Sequence, residues 1–287
     1  MDNTVIIVVL SAAFLHAWWN FLVRSNTDKV MAMIAMTAGH TPFAILGILY
    51  LGIPGREAVP FLLASAVLHV GYQVFLMNAY RFGELSNIYP IARGLSPLIL
   101  SIVTLIIGQD MLSGGQFAGI IIISLSMMTL GFMQFRLHQD GPKGLILACF
   151  AGMFIASYSM VDALGSRLTG DALLFYSSST MLNVMLMLIY SMSFHRDAMR
   201  RLVRDGRKVF WIGGSASYLA YVMVLWACLQ APIALVSSLR ETSVIFAMFL
   251  GAFLLKETIS RAKIMITHDN LGHGRGHYYQ PFILDCR

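Results

Sequence analysis

The chain has 287 residues, of which 57% are hydrophobic and only 12% are charged. Soluble domains carry about 25% charged residues, so this chain has too little charge to cover a surface exposed to water, and lipid is its expected solvent. The net charge of +6 lies mostly in short loops and does not indicate a nucleic-acid partner. Three widely spaced cysteines indicate neither a disulfide framework nor a metal cluster.

Apolar stretches of about 20 residues, the length that crosses a bilayer, recur along the chain between short polar breaks. Each is predicted to be a helix, because lipid offers no partners to unpaired backbone groups. The first stretch is expected to remain as a helix, since its flank lacks the basic residues of a signal peptide. The nine predicted spans are Val5–Leu22, Met31–Leu51, Val59–Ala79, Ile88–Ile107, Phe117–Phe135, Lys143–Leu164, Ala172–Phe194, Val209–Leu229 and Pro232–Leu255.

Basic residues are distributed unequally between the loops on the two sides of these spans. One side carries Arg24, Lys29, Arg81, Arg136, Lys143, Arg196, Arg200, Arg201, Arg204, Arg207 and Lys208, and the other carries Arg56 and Arg167. The positive-inside rule therefore places the loop 195–208 in the cytoplasm and the N-terminus on the outer side of the cell membrane. Anionic lipid headgroups are the expected partner of this basic loop.

The chain also shows signs of an internal duplication. A polar segment at 136–143 with a Gly-Pro break separates five spans from the four that follow. At one constant offset, Arg93, Ser96, Asp110 and Ser113 align with Arg240, Ser243, Glu257 and Ser260. A five-helix unit followed by its copy must be inverted in the membrane. We therefore predict an all-α polytopic membrane protein built of two inverted repeats, residues 1–135 and 144–263.

Three segments resemble the EamA-type transporters of the drug/metabolite transporter superfamily. Ile88–Pro97 resembles that family's fourth helix, Ala231–Glu257 resembles its ninth helix and exit, and His16–Asn20 resembles a first-helix signature of one branch. The resemblance covers residues 1–263 and implies ten helices, in two inverted five-helix repeats around a central cavity. It also implies export of amino acids, other metabolites or toxic compounds by alternating access, with protons as the coupling ion in some members. The family is usually drawn with a cytoplasmic N-terminus, against the charge count, which we keep.

The end of the chain departs from this pattern, because the polar residues 264–287 replace the expected tenth helix. Read one base later, the codons for residues 272–280 can encode the apolar run Val-Met-Val-Val-Val-Ile-Ile-Ile-Asn. The sequence thus predicts a frameshifted tenth helix and an incomplete second repeat, and a gene with no apolar alternative frame after Arg261 would refute this. The alternative is a metal site at His268, His273 and His277, but no cysteine or fixed scaffold accompanies them, so we expect no metal.

Charged residues inside spans cost about 2.5–3.5 kcal/mol each on insertion scales, so they usually face a cavity or a partner. Arg93 shares a helix face with Tyr89, and Pro90 and Pro97 should bend or break that helix, as happens in the binding regions of transporters. Arg93 and Arg240 are therefore candidates for binding a substrate carboxylate or phosphate. The alternative is a structural arginine, tied to a carbonyl or reaching the interface.

The sequence also predicts roles for the acidic residues in the spans. Glu241 directly follows Arg240 and should not pair with it, because neighbours one apart point to different faces. Glu241 is either a proton carrier or the countercharge of Arg93, and we favour the countercharge. Asp162 is expected at the membrane interface, late in its helix.

Polar and aromatic side chains recur on single helix faces. His16, Trp19 and Asn20 follow the spacing i, i+3, i+4, and His69, Tyr72 and Gln73 repeat it. Such faces suit a cavity for an amino acid or an aromatic metabolite, with hydrogen bonding between helices as the alternative. The complete predicted substrate-binding set is His16, Trp19, Asn20, Tyr72, Gln73, Tyr89, Arg93, Tyr218, Tyr221, Arg240 and Glu241.

These features favour a secondary transporter of a small metabolite, without a cofactor or catalytic residues. The spans contain no H-E-x-x-H, G-x-S-x-G or P-loop motif, which disfavours the alternative of a polytopic membrane enzyme. A second alternative is a nonfunctional product of the frameshifted gene. The pattern Gly115-x-x-x-Gly119 is typical of packed helices or subunits, so a homodimer is a further expectation.

Overall fold

The computed structural model describes residues 1–24, 26, 28–79, 82, 85–137 and 142–255. Within these ranges the chain forms twelve α-helices and no strand, with a 3₁₀ turn at Arg56–Ala58 and a π-helical turn at Val209–Gly213. The helices are α1 Asn3–Arg24, α2 Lys29–Ala38, α3 Thr41–Leu51, α4 Val59–Ala79, α5 Leu85–Ile107, α6 Gly114–Leu137, α7 Pro142–Thr169, α8 Ala172–Phe194, α9 Arg196–Asp205, α10 Gly214–Gln230, α11 Ile233–Arg240 and α12 Ser243–Leu255. The predicted frameshift in the tail, the histidines at 268, 273 and 277, and Glu257 of the predicted repeat lie outside the described residues.

Eight segments of the described chain are long and apolar enough to cross a bilayer. They coincide with the first eight predicted spans, and α4 and α8 have the predicted bounds at both ends. The second of these segments, Lys29–Leu51, combines α2 and α3. By length and composition, the chain is therefore an all-α protein of the multi-pass membrane type.

The ninth predicted span is divided into two helices. Around this point the backbone N–H groups of Glu241, Thr242, Val244 and Ile245 bond three residues back instead of four, as in the bond from Thr242 N to Leu239 O at 3.1 Å. The Thr242 hydroxyl also donates to Leu239 O, at 2.8 Å. Because these bonds tighten the backbone into a turn, α11 ends at Arg240 and α12 begins at Ser243.

The predicted break at Pro90 and Pro97 is not present, and α5 continues through both prolines. A proline inside a helix removes one backbone donor, and so one bond to the carbonyl four residues earlier. Here the remaining bonds of a 23-residue helix are retained on either side of each proline. The sequence predicted an interruption in α5. The structure instead has an interruption between α11 and α12, in the span that the predicted duplication aligns with α5.

Helices from the first half of the chain pack against helices from the second half. Helix α1 packs against α10 and α12, and α7 packs against α4 and α5. Helix α8 packs against α3 and α4, α2 packs against α10, and α5 packs against α11.

Successive helices run between two ends of the bundle, which ion pairs identify. At the Asp28 end, Asp28 accepts a hydrogen bond from Arg201 of α9 at 2.6 Å. At the Asp110 end, Asp110 in the α5–α6 loop pairs with Arg167 of α7 at 3.0 Å. Helix α1 therefore runs towards the Asp28 end, whereas α7 runs towards the Asp110 end.

A close backbone contact fixes the joint between α2 and α3. A Cβ atom on Gly39 would lie 2.0 Å from the Phe210 carbonyl oxygen in the π-helical turn and 3.1 Å from the Gly214 Cα. The following helix carries Pro42 in its first turn, which has no N–H to continue the ladder of α2. The glycine thus allows the joint to approach the start of α10.

Gly39→Ala is expected to destabilise the protein by about 1–3 kcal/mol, because backbone atoms must move to admit the methyl group. Gly114→Ala is the matched control, since a Cβ at Gly114 meets no described atom within 4 Å. Thermal unfolding in detergent measures both variants. Equal midpoints for the two variants would contradict the contact.

Candidate functional site

A cavity of about 70 Å³ lies in the centre of the bundle. It is large enough to hold more than one water molecule, since the share of one water in the liquid is about 30 Å³. Its wall is drawn from α1, α2, α4, α5, α7, α8, α10 and α11, together with His40 at the α2–α3 joint. Both halves of the chain therefore contribute to one central site.

Seven of the eleven predicted binding residues line this cavity, namely His16, Trp19, Tyr72, Gln73, Arg93, Tyr221 and Arg240. Three others hold the lining from behind: Asn20 and Tyr89 bond to each other at 3.3 Å, and Glu241 bonds to Arg93. The last predicted residue, Tyr218, does not line the cavity. Its hydroxyl bonds to Ser177 Oγ at 2.7 Å and its ring stacks on Phe43.

A chain of polar contacts joins α1 to α5 at the cavity. His16 Nε2 lies 2.8 Å from Tyr89 Oη and 2.8 Å from Arg93 Nη1. Because a guanidinium can only donate, His16 presents this nitrogen to Arg93 as an acceptor. The prediction that His16 and Asn20 share a face is confirmed, since both contact Tyr89.

Arg93 and Glu241 form a buried ion pair between α5 and the break after α11. Arg93 Nε donates to Glu241 Oε2 at 2.7 Å, and both residues are 3% exposed. The predicted role of Glu241 as the countercharge of Arg93 is confirmed. The pair joins α5 to the C-terminal end of α11.

Arg240 is a buried cation at this site with donors that the described part of the chain leaves without a partner. The residue is 3% exposed and lines the cavity, yet its Nε and Nη2 have no hydrogen-bond partner among the described residues. A buried donor without a partner costs about 1–3 kcal/mol, and more when it is charged. Arg240 lies at the end of α11, next to the turn.

Asp162 lies inside the bundle, so the prediction that it sits at the interface is wrong. The residue is 0% exposed, and its Oδ2 accepts from Tyr221 Oη at 2.7 Å and contacts His69 Nε2 at 2.9 Å. The His69 ring stacks on Tyr158 with centroids 4.0 Å apart. Helix α7 extends five residues beyond the predicted span, to Thr169, which places Asp162 well inside it.

Several lining residues escaped prediction, most of them on α8. They are His40, Tyr176, Ser179, Thr180, Asn183 and Ser217. Asn183 contacts Gln73 at 3.4–3.5 Å, and Gln73 also donates to Thr37 Oγ1 at 3.1 Å. The run of four hydroxyl residues from Ser177 to Thr180 followed by an asparagine, in an otherwise apolar span, was the available signal.

A second polar cluster, the Asp110 latch, closes the bundle at the Asp110 end. Asp110 Oδ1 accepts from Arg167 Nη2, and Asp110 Oδ2 accepts from the first backbone N–H of α11, at Ile233, at 2.8 Å. Arg167 also donates to the carbonyls of Cys228 and Ala231, at 2.9 and 3.1 Å. The latch therefore ties the α5–α6 loop, α7, the end of α10 and the start of α11.

Comparison with known proteins extends the description of the fold. No family model matches the chain, and no curated protein matches it. A crystal structure of another protein is similar to this chain with a TM-score of 0.73, covering 93% of this chain and 94% of that one, at 14% identity. At this identity the likeness shows a shared fold over nearly the full length of both chains.

Proposed function

We propose that the protein is a secondary transporter that moves a small carboxylate-bearing solute, such as an amino acid, across the cell membrane by alternating access. The observation that carries the proposal is Arg240, a buried cation that lines the central cavity and has two donor nitrogens without a partner among the described residues. A guanidinium fork matches the two oxygens of a carboxylate. Binding a solute there would give these donors the acceptors that the described part of the chain does not supply.

The interrupted helix supports a transport role. Transporter sites are commonly formed where membrane helices are discontinuous, because backbone and side-chain groups freed at the break can face a solute. Here Arg240 and Glu241 lie at the end of α11, beside the break. The rings of Trp19, Tyr72, Tyr158 and Tyr221 around the same cavity suit the apolar part of an amino acid or an aromatic metabolite.

The packing pairs support an arrangement of two inverted repeats. If α1 corresponds to α7 and α4 to α10, the contact of α1 with α10 is the counterpart of that of α4 with α7. The opposite directions of α1 and α7 agree with an inverted copy. The proposal includes the EamA-type family on the sequence resemblance, with the described α11 and α12 as its interrupted ninth helix.

The orientation that we propose places the Asp28 end in the cytoplasm. Arg24, Lys29, Lys143 and α9 belong to this end, whereas Arg56 and Arg167 belong to the Asp110 end. The positive-inside rule orients such a chain with its basic end inwards. The exposed arginines of α9 would then meet anionic lipid headgroups.

Flux into proteoliposomes tests the proposal, with radiolabelled L-phenylalanine and L-glutamate as first probes and a thermal-shift screen of metabolites to extend them. If the protein is a transporter, proteoliposomes that contain it should show saturable flux that empty liposomes lack. A polytopic enzyme would instead convert a probe chemically. A product inactivated by a frameshift would gain flux when the reading frame after Arg261 is restored.

Arg240→Gln is expected to weaken binding of a carboxylate probe by about 10-fold to 150-fold, since a hydrogen bond to a charged group contributes about 1.5–3 kcal/mol. Arg240→Lys keeps the charge but loses the planar guanidinium fork, so its affinity for the probe should lie between those of the wild type and Arg240→Gln. Arg200→Gln, an exposed site on α9, is the control. Unchanged affinity in Arg240→Gln would overturn the assignment.

A further inference from the structure

Asp162 is a fully buried carboxylate that contacts no arginine or lysine within the described ranges. Its Oδ2 is shared between the Tyr221 hydroxyl and His69 Nε2, and its Oδ1 has no hydrogen-bond partner in the same part of the chain. An unpaired charge in a membrane bundle is costly and usually marks a functional group. Asp162 therefore needs an explanation beyond helix packing.

The other buried carboxylate of the site behaves differently. Glu241 is held by Arg93 Nε at 2.7 Å, so neutralising this carboxylate would leave the buried Arg93 without its countercharge. The partners of Asp162 are a phenol and an imidazole, and an imidazole can change its own charge near neutral pH. Of the two acidic residues, Asp162 is therefore the one whose charge can be removed without stranding an arginine.

His69 connects Asp162 to the cavity. The imidazole lines the cavity wall with 15% of its side chain exposed, whereas Asp162 lies behind it. Stacking on Tyr158 and an edge contact with Tyr221 fix the ring. The titratable and charged groups around the pair on the packed elements are His40, Arg93, Tyr158, Tyr176, Tyr221, Cys228 and Arg240.

We infer that Asp162 and His69 form a proton-binding site that couples transport to a pH gradient. The inference rests on the proposed function. A proton from the cavity adds to the His69 imidazole, and Nε2 passes its own proton to Asp162 Oδ2, 2.9 Å away. The N–H bond breaks as the O–H bond forms, and the carboxylate becomes a neutral acid. When the cavity faces the other side, the O–H bond breaks, the proton returns to Nε2, and a proton leaves the imidazole to the cavity.

The donor set favours a proton over a metal cation. Hard cations such as Na⁺ require a shell of several oxygen ligands. Here one carboxylate is flanked by a ring nitrogen and a phenol, and no group of three His, Cys, Asp or Glu residues capable of holding a metal occurs in the described chain. A proton needs only one carboxylate oxygen, and Asp162 Oδ2 lies 2.9 Å from His69 Nε2.

Infrared titration of the purified protein tests the site without a solute. Wild type is expected to show a protonated-carboxyl band that rises as the pH falls and is absent from Asp162→Asn, while the exposed control Asp205→Asn keeps it. His69→Gln should alter the frequency of this band, because it changes a hydrogen bond to the same carboxyl group. A wild-type spectrum identical to that of Asp162→Asn at every pH would overturn the inference.

Proteoliposomes then test the coupling, with L-phenylalanine as the probe and the membrane potential clamped. A gradient of one pH unit should sustain up to about tenfold accumulation per proton, and a Na⁺ gradient should sustain none. Asp162→Asn should lose this accumulation, and Asp205→Asn should keep it. Flux that does not depend on the pH gradient would overturn the inferred proton coupling but not the proposed transport function. A carboxyl band that titrates in protein without flux would refute the transport function but not the proton-binding site.

Discussion

Glu241→Gln should destabilise the protein by about 3–5 kcal/mol, the cost of leaving one member of a buried ion pair without its partner. Arg93 would remain 3% exposed with its charge, and its Nη2 already has no partner among the described residues. The affected contact joins α5 to the turn between α11 and α12. Unfolding in mixed detergent micelles measures the loss.

The double variant Arg93→Gln/Glu241→Gln separates a lost contact from a stranded charge. It removes both charges at similar volume and should recover most of the stability that Glu241→Gln loses. The matched control is the exposed pair of Arg204 with Asp205 at 2.9 Å, where Asp205→Asn should change stability by less than about 1 kcal/mol. A double variant as unstable as the single one would show that charge is not the cause.

Asp110→Asn should open the Asp110 latch, and the thiol of Cys228 reports on it. Cys228 is 3% exposed, and its carbonyl is held by Arg167. The two carboxylate oxygens of Asp110 accept hydrogen bonds from Arg167 and from Ile233 N at the start of α11. The substitution removes the ion pair and replaces one of these oxygens with an amide nitrogen that cannot accept. A helix cap contributes about 0.5–2 kcal/mol and a charged hydrogen bond about 1.5–3 kcal/mol, so alkylation of Cys228 should accelerate by at least about tenfold.

The experiment uses N-ethylmaleimide on protein with Cys149→Ser and Cys286→Ser, so that one thiol remains. Asp171→Asn is the control, because Asp171 caps α8 through Leu174 N and has no arginine partner among the residues that the structure describes. It should accelerate alkylation far less. Equal rates in Asp110→Asn and the starting protein would mean that the ion pair does not hold this end closed.

Much of this architecture could be predicted because lipid leaves a simple pattern in the sequence. Eight predicted spans match helical segments, since hydropathy and length alone decide which stretches can cross a bilayer. That His16 and Asn20 share one face of α1 followed from helical spacing, whereas their contact with Tyr89 of α5 did not. The pair of Arg93 with Glu241 followed from the cost of leaving either charge alone.

The remainder depends on which helices meet, and sequence spacing does not contain that information. Tyr158, Ser159 and Ser166 lie at helical spacing from Asp162 on α7, but they do not indicate its partners, because His69 and Tyr221 come from α4 and α10. The Asp110 latch likewise draws Arg167 and Ile233 from distant parts of the chain. The break after Glu241 escaped prediction because α5, with two prolines, offered the stronger sequence signal.

The two aspartates that identify the ends of the bundle each carry out two tasks with one carboxylate. Asp28 caps α2 through Met31 N and binds Arg201, just as Asp110 caps α11 and binds Arg167. The side chains of Arg201 and Asp28 are 51% and 25% exposed, against 26% and 8% for Arg167 and Asp110. Since dissolved ions screen exposed charges more than sheltered ones, ionic strength acts unequally on the two ends, loosening the start of α2 before the start of α11.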